Sequence, residues 1–135
     1  MAKLTQIEGI GETYSGKLQE AGIATQEKLL EAGSTPKGRK ELADKTGISS
    51  KLILGWINRA DLARVKGIGE EYADLLELSG VDTVPELAQR NAANLHTKIT
   101  EVAEARGNVV RRVPSAKEVE KWVAQAKELP RAINY

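Results

Sequence analysis

The sequence predicts an all-α protein built as two tandem repeats, packed as one globular domain of about ten short helices. Apolar residues recur at helical spacing, and glycine, threonine, serine and proline interrupt them where helices would begin and end. The segment IEGIGETYSGKLQEAGIAT, which begins at residue 7, also returns as VKGIGEEYADLLELSGVDT at residue 65. A shared offset without gaps indicates duplication, with repeats at residues 1–60 and 61–135.

Helix boundaries follow from residues that favour helix ends. In the first repeat, Gly22 ends a helix in a left-handed conformation, and Ile23 packs back against that helix. Thr25 caps the next helix. The equivalent residues of the second repeat are Gly80, Val81 and Thr83. Three further helices have N-caps of the same kind, namely Thr35, Asn91 and Ser115.

The later helices also have predicted ends. Pro36 suits the first turn after Thr35, the helix that Asn91 begins ends at Gly107, and the last helix stops before Pro130. Residues 108–114 favour β structure, but an isolated strand would have no partner, so we expect an extended linker.

The large aromatic residues occupy matching positions in the two halves. Trp56 and Trp122 align once a small insertion is allowed, and a chain without phenylalanine has few other large core residues. We therefore expect both tryptophans in the core. Tyr14 and Tyr72 also match, and we expect them to pack near the repeated glycines rather than stack on bases.

The composition excludes several classes of protein. With 135 residues, 41% hydrophobic, 29% charged and no cysteine, the chain has no disulfide, thiolate metal site or cysteine nucleophile. The start, MAKLTQIEG, lacks the apolar core of a signal peptide, and the longest apolar run, LILGWI, is too short to span a membrane. We expect a cytoplasmic protein without a membrane partner.

The net charge predicts little long-range attraction of nucleic acid. Twenty basic residues face 19 acidic ones, for a formal charge of +1. Phosphate binding would therefore have to come from local geometry, and the repeated Gly-Ile-Gly segments are the candidates. Their glycines permit positive φ, the isoleucine fills the turn, and the second glycine opens a helix whose unpaired N–H groups suit one phosphate.

This pattern resembles the helix-hairpin-helix motif, present twice. The resemblance implies that paired hairpins hold the sugar-phosphate backbone without reading sequence, as in repair polymerases, ligases and Holliday-junction proteins. Some of those families hold a monovalent cation on hairpin carbonyls. The implied contacts are the amides around Gly9, Ile10 and Gly11 and around Gly67, Ile68 and Gly69. Such contacts position a duplex and do not specify bases.

The two copies differ in charge. DNA-binding hairpins usually carry a basic or small polar residue after the second glycine, whereas this chain has Glu12 in one copy and Glu70 and Glu71 in the other. A carboxylate there stabilises the helix dipole and repels phosphate. Arg64 and Lys66 lie just before the second copy, which makes it the preferred DNA site. The alternative is an adaptor whose hairpins or helix faces bind another protein.

Other candidate sites are weaker. The segment ELADKTGISSKLILGWINRA resembles a helix-turn-helix, with Ser49 capping a helix that would present Ser50, Lys51, Leu54 and Asn58. We favour a simpler interpretation, in which Gly47 turns the chain and Ile53, Trp56 and Ile57 face the core. Two basic clusters could flank a phosphate path, but we expect solvated faces, because acidic residues lie close by. The clusters are Lys37, Arg39 and Lys40, and Arg106, Arg111 and Arg112.

Catalytic patterns are absent from the sequence. His96 is the only histidine and is expected at the surface, while metal-ligand spacings, a P-loop and a nucleophile elbow are missing. We expect no enzyme activity, cofactor, metal or small-molecule substrate. Nearly the whole chain is similar to a bacterial family of tandem helix-hairpin-helix proteins named only as a domain of unknown function.

Overall fold

The structure is a computed structural model that describes residues 3–7, 9–107 and 112–134. Its described part is helical, apart from an isolated antiparallel bridge between Lys3 and Thr25. The all-α prediction is confirmed, but the expected count of about ten helices is wrong, because eight α-helices are present in the described ranges. The longer helices run without a break, and one of them passes through Gly55.

The chain begins with a 3-10 helix at Leu4–Gln6. The α-helices that follow are α1 (Glu12–Glu20), α2 (Gln26–Ala32), α3 (Pro36–Thr46), α4 (Ser50–Leu62), α5 (Glu70–Leu78), α6 (Val84–Ala88), α7 (Ala92–Arg106) and α8 (Ala116–Glu128).

The chain divides into two compact units. The first comprises Met1–Asp61 together with Arg131–Tyr135, and the second comprises Leu62–Pro130. The first unit therefore holds α1 to α3 and α4 up to Asp61, whereas the second holds α5 to α8. The end of the chain packs with the first unit although it follows the last helix of the second.

Each unit has its own hydrophobic core. In the first, the fully buried side chains include Leu18, Leu29, Ile53 and Ile57, with Trp56 beside them. In the second, they include Leu75, Leu76, Leu87, Leu95 and Ile99, with Trp122 beside them. Both tryptophans are nearly fully buried, at 4% and 3% exposed, as expected of core residues. Each buried aliphatic side chain contributes about 1.5–3 kcal/mol to folding.

The predicted N-caps are confirmed. In every case the side chain accepts a hydrogen bond from the backbone N–H three residues later, which satisfies one of the unpaired donors of the first turn. Pro36 begins α3, and Glu118 completes a capping box by bonding back to the N–H of Ser115. The capping residues are Thr25, Thr35, Thr83, Asn91 and Ser115.

The predicted helix ends are confirmed as well. Gly22 and Gly80 have φ values of 90° and 91°. The next residues, Ile23 and Val81, are buried, and each donates its N–H to a carbonyl five residues back, at 2.8 and 2.9 Å. At the end of α7, Gly107 has φ 77°.

The segment around Gly47 follows the core-packing interpretation. Gly47 has φ 72° and turns the chain between α3 and α4. Ser49 Oγ accepts a hydrogen bond from the N–H of Lys51 at 3.2 Å, as expected of a cap. On α4, Ile53, Trp56 and Ile57 are buried.

Two further observations concern the remaining chain. Of the linker predicted at 108–114, residues 108–111 lie outside the described residues, and residues 112–114 are neither helix nor strand. Among the helices of the described ranges, none combines the length and apolar character needed to cross a bilayer.

Alanine substitution of one glycine in α3 and one in α4 tests the packing of these helices. An alanine Cβ at Gly38 would overlap the carbonyl oxygen of Ala32, whereas one at Gly55 would meet nothing within 4 Å. We expect Gly38→Ala to lower the free energy of unfolding by about 1–3 kcal/mol. Gly55→Ala should raise it by about 0.5–1 kcal/mol because alanine loses less backbone entropy. Urea unfolding measures both, and equal effects would contradict the packing at Gly38.

Candidate nucleic-acid interface

The two Gly-Ile-Gly turns have closely similar backbone geometry. The N–H of Ile10 donates to the carbonyl of Ile7, and the N–H of Ile68 donates to the carbonyl of Val65, both at 3.1 Å. Both isoleucine side chains are buried. Each turn is therefore anchored to its own core by the central residue, as the sequence predicts.

The first glycine of each turn packs against a tryptophan. Gly9 and Gly67 have φ values of 92° and 96°, which other residues rarely adopt. A Cβ at Gly9 would lie 3.4 Å from Trp56 Nε1, and one at Gly67 would lie 3.1 Å from Trp122 Nε1. The positive φ favours glycine at both positions. Close packing adds to this at Gly67, where the Cβ contact would be tight, whereas the distance at Gly9 is close to an ordinary contact.

A tyrosine completes this arrangement in each unit. The rings of Tyr14 and Trp56 have centroids 5.1 Å apart at an interplanar angle of 56°. Those of Tyr72 and Trp122 are 5.2 Å apart at 51°. Such tilted contacts are favourable for aromatic pairs, and they place each tyrosine against the tryptophan that lies next to the turn.

The second glycine of each turn has a different role from the first. Gly11 and Gly69 are the N-caps of α1 and α5, with extended φ values of −88° and −96°. Any residue can adopt that conformation, so the expected need for positive φ applies to Gly9 and Gly67 and not to these two. A Cβ at either N-cap would meet nothing within 4 Å.

These two N-termini lack the side-chain caps that the chain uses elsewhere. Gly11 and Gly69 make no side-chain cap hydrogen bond, although five other helices are capped by Thr, Asn or Ser. Serine, asparagine or aspartate would stabilise α1 and α5 slightly more than glycine does. The space beside each N-cap glycine is open, and the first-turn amides lie at the positive end of the helix dipole. We call these two N-termini the hairpin mouths.

The basic residues before the second mouth are held in different ways. Lys66 is fixed through its backbone, since its N–H donates to Gln125 Oε1 at 3.0 Å and its carbonyl accepts from Gln125 Nε2 at 3.2 Å. The Lys66 side chain is exposed. Arg64 is half-buried, and its Nη2 donates to the carbonyl of Pro130 at 2.6 Å.

Carboxylates lie at both mouths. Glu12 begins α1, and Glu70 and Glu71 begin α5; all three are exposed. Negative charge in the first turn stabilises a helix by about 0.3–1 kcal/mol. The same charge weakens the attraction of a mouth for an anion.

Of the first basic cluster, Arg39 is not on a solvated face. It is 7% exposed, and its guanidinium donates to the carbonyls of Gly33 and Asn134, at 2.9 Å each. Lys37 and Lys40 are exposed. The expectation for Arg39 is wrong because its side chain reaches back to the turn before α3, a contact that sequence spacing does not reveal.

In the second basic cluster, Arg111 lies outside the described residues and Arg106 is exposed. Arg112 forms a bidentate ion pair with Glu118, with Nη1–Oε1 at 2.7 Å and Nη2–Oε2 at 3.0 Å. The hydrogen-bonded Arg112 lowers the pKa of Glu118 from 4.5 to about 2, with help from the N–H of Ser115.

His96 is half-buried, and its Nε2 lies 3.1 Å from the carbonyl oxygen of Pro114. It is therefore less exposed than the sequence suggested, and the contact implies a proton on Nε2. Within the described residues, no group of three or more His, Asp and Glu side chains could hold a metal ion.

Two contacts at these sites were not predicted. Gln125 was missed because a glutamine on a helix carries no sign of a partner 59 residues away. The contact between Arg39 and Asn134 spans 95 residues, and no sequence pattern marked either residue for it.

The profile of a family described as a domain of unknown function (DUF4332) matches residues 8–129. The chain belongs to the DUF4332 family. Both hairpin mouths and the eight α-helices of the described ranges fall within the DUF4332 match, whereas residues 131–134 lie beyond it. Neither curated proteins nor solved structures gave a significant match.

The different structural roles of Gly67 and Gly69 can be tested by measuring the free energy of unfolding of variants at each position. Gly67→Ala would force alanine to φ 96° and bring its Cβ against Trp122. We therefore expect it to lower the free energy of unfolding by about 1–3 kcal/mol. Gly69→Ser should be neutral or stabilise by a few tenths of a kcal/mol, because serine is the better N-cap. Urea unfolding measures both variants. Similar losses would show that Gly69 is required by the fold.

The Arg112–Glu118 pair predicts a pH dependence. Because the pKa of Glu118 is lowered by folding, its contribution to stability is present above about pH 4.5 and is lost as the pH falls towards 2. We expect NMR titration to place Glu118 near pH 2, and Arg112→Ala to move the midpoint towards 4.5. Arg106→Ala is the control and should leave it unchanged. A wild-type midpoint near 4.5 would contradict the ion pair.

Proposed function

We propose that this protein is a non-catalytic DNA-binding protein that holds the sugar-phosphate backbone through two helix-hairpin-helix motifs, one in each unit. The observation that carries the proposal is the pair of open hairpin mouths. At Gly11 and Gly69 the chain has glycine where a capping side chain would stabilise the helix, and there is space for a ligand to approach the backbone.

The chemistry of such a mouth suits one phosphate oxygen. The first-turn N–H groups of α1 and α5 have no helical acceptor, and the helix dipole adds a partial positive charge of about 0.5. Because the phosphate group is the same for every nucleotide, contacts of this kind carry no base specificity. The proposed function is therefore binding that does not depend on DNA sequence.

The helix-hairpin-helix assignment rests on the local likeness of the two turns. Each has a positive-φ glycine against a tryptophan, a buried isoleucine, and a second glycine that opens a helix. The small residues Ser15 and Ala73 follow at equivalent positions and are buried. These features support a motif present twice, although the two helices differ in their exposed charges.

The charges favour the second motif and limit its affinity. Lys66 offers an exposed ammonium group beside the mouth of α5, whereas Glu70 and Glu71 oppose an incoming phosphate. We expect weak binding, with a dissociation constant on the order of 10⁻⁶ to 10⁻⁴ M, in the range of nonspecific DNA binding.

A protein adaptor is the second candidate, and the exposed carboxylates favour it. Glu12, Glu70 and Glu71 at the mouths suit a basic partner surface better than a phosphate. Leu78, in the last turn of α5, is also 40% exposed and could contact an apolar partner residue.

Fluorescence anisotropy with labelled duplex, junction and single-stranded DNA separates the two candidates. For DNA binding, we expect affinity at micromolar protein that falls about 3- to 12-fold between about 50 and 200 mM salt, if one or two phosphates are neutralised. Absence of salt-sensitive binding to any of the three probes would reject DNA binding and favour the adaptor.

A double variant tests the mouth itself. Gly69→Val with Lys66→Glu should weaken binding at least about tenfold, the effect of losing one charge-assisted contact. Circular dichroism should show unchanged helix content, because a Cβ at Gly69 meets nothing within 4 Å. The control, Lys98→Glu, makes the same charge change on an exposed position of α7 and should have a smaller effect. Retained binding in the double variant would move the site away from α5.

A further inference from the structure

The end of the chain is inserted into the first unit. Ile133 is 2% exposed and belongs to the buried cluster of that unit. On either side of it, Arg131 and Asn134 are exposed, so the segment contributes one deeply buried side chain. Residues 131–134 are called the tail below.

The residue after Ile133 is held through its main chain. The N–H of Asn134 donates to the carbonyl of Ser34 at 2.7 Å, and the carbonyl of Asn134 accepts from Arg39 Nη2 at 2.9 Å. Neither hydrogen bond uses the asparagine side chain. These two hydrogen bonds can therefore form with any residue at this position that has a main-chain N–H.

The groups that receive the tail belong to the turn between α2 and α3. Gly33 and Ser34 form that turn, and Arg39 is held against it because its Nη1 donates to the carbonyl of Gly33 at 2.9 Å. Burying a guanidinium is costly unless its donors find acceptors. The tail supplies one of those acceptors, which links the burial of Arg39 to the presence of the tail.

The arrangement resembles the capture of an extended peptide. Main-chain hydrogen bonds supply affinity, and one apolar pocket selects the side chain that enters it. The receiving groups lie within the DUF4332 match at residues 8–129, whereas the tail lies beyond it. The receptor and its occupant are thus separate parts of the sequence.

We propose that Gly33, Ser34, Arg39 and the adjoining core of the first unit form a binding site for an extended peptide, which the tail of the same molecule occupies. The site accepts an aliphatic residue followed by a residue with an available main-chain N–H and carbonyl. We call it the tail site. Its occupancy by the tail keeps the site closed to other peptides of this kind.

Hydrogen exchange on the full chain tests the proposal. In Ile133→Asp, exchange of amides at residues 29–42 should rise roughly 10- to 100-fold, the effect of losing one buried aliphatic side chain. Asn134→Pro should act in the same direction because it removes the N–H donated to Ser34. Asn134→Ala is the matched control and should behave like the wild type, since it keeps both main-chain bonds.

Rescue by a free peptide distinguishes a binding site from ordinary packing. A synthetic peptide of residues 127–135, KELPRAINY, should restore protection at residues 29–42 in Asn134→Pro. The same peptide carrying Ile133→Asp should not. Circular dichroism at each step checks that the variant keeps its helices.

Three results would overturn the proposal. If the amides at residues 29–42 exchange at the wild-type rate in both Ile133→Asp and Asn134→Pro, the tail does not protect the site. Loss of protection that no peptide concentration restores would show that the tail is part of the core and not a separable ligand. A wild-type dimer on size exclusion that dissociates when Ile133→Asp is introduced would place the tail of a second copy in the site.

Discussion

The positive φ of a glycine that lies next to a buried tryptophan is the constraint on which each Gly-Ile-Gly turn depends. Trp56 and Trp122 are buried in their cores, and each lies next to the first glycine of a turn. A Cβ at Gly67 would make a tight contact of 3.1 Å with the indole nitrogen, and one at Gly9 would lie 3.4 Å away. This conformation sets the path of the turn, and the buried isoleucine that follows keeps it there. The helix that begins two residues later therefore has a fixed position for its N-terminus. An open mouth is useful to a ligand because its amides need no rearrangement before binding.

Fold stability and anion binding make opposite demands on the first turn of α5. Glu70 and Glu71 stabilise the positive end of the helix, which a glycine N-cap leaves without a side-chain acceptor. An approaching phosphate would meet the same carboxylates. The chain thus combines an N-cap that favours ligand approach with flanking charges that favour the unbound helix. For the proposed phosphate ligand, modest affinity is the expected result of that combination.

Local features of the fold could be predicted from the sequence, whereas contacts between distant residues could not. Thr25, Asn91 and Ser115 act within one helical turn, so their capping role is visible in sequence. Arg39 was misjudged because its acceptors include Asn134, which is 95 residues away. At the candidate site, the glycines were found from their pattern. The separate roles of Gly67 and Gly69 were not, because φ and free space depend on Trp122 and on the course of the chain.

The bonding of Lys66 to Gln125 has an entropic consequence. The side-chain amide of Gln125 satisfies both the N–H and the carbonyl of Lys66, much as a neighbouring strand would. The backbone at this residue is thus ordered before any ligand arrives, while the four-carbon side chain retains its rotamers. An anion that meets the ammonium group would cost the chain side-chain freedom, at most about 2 kcal/mol, and no further backbone ordering at this residue. Lys66 thus combines an exposed charged side chain with a backbone that is held by two hydrogen bonds.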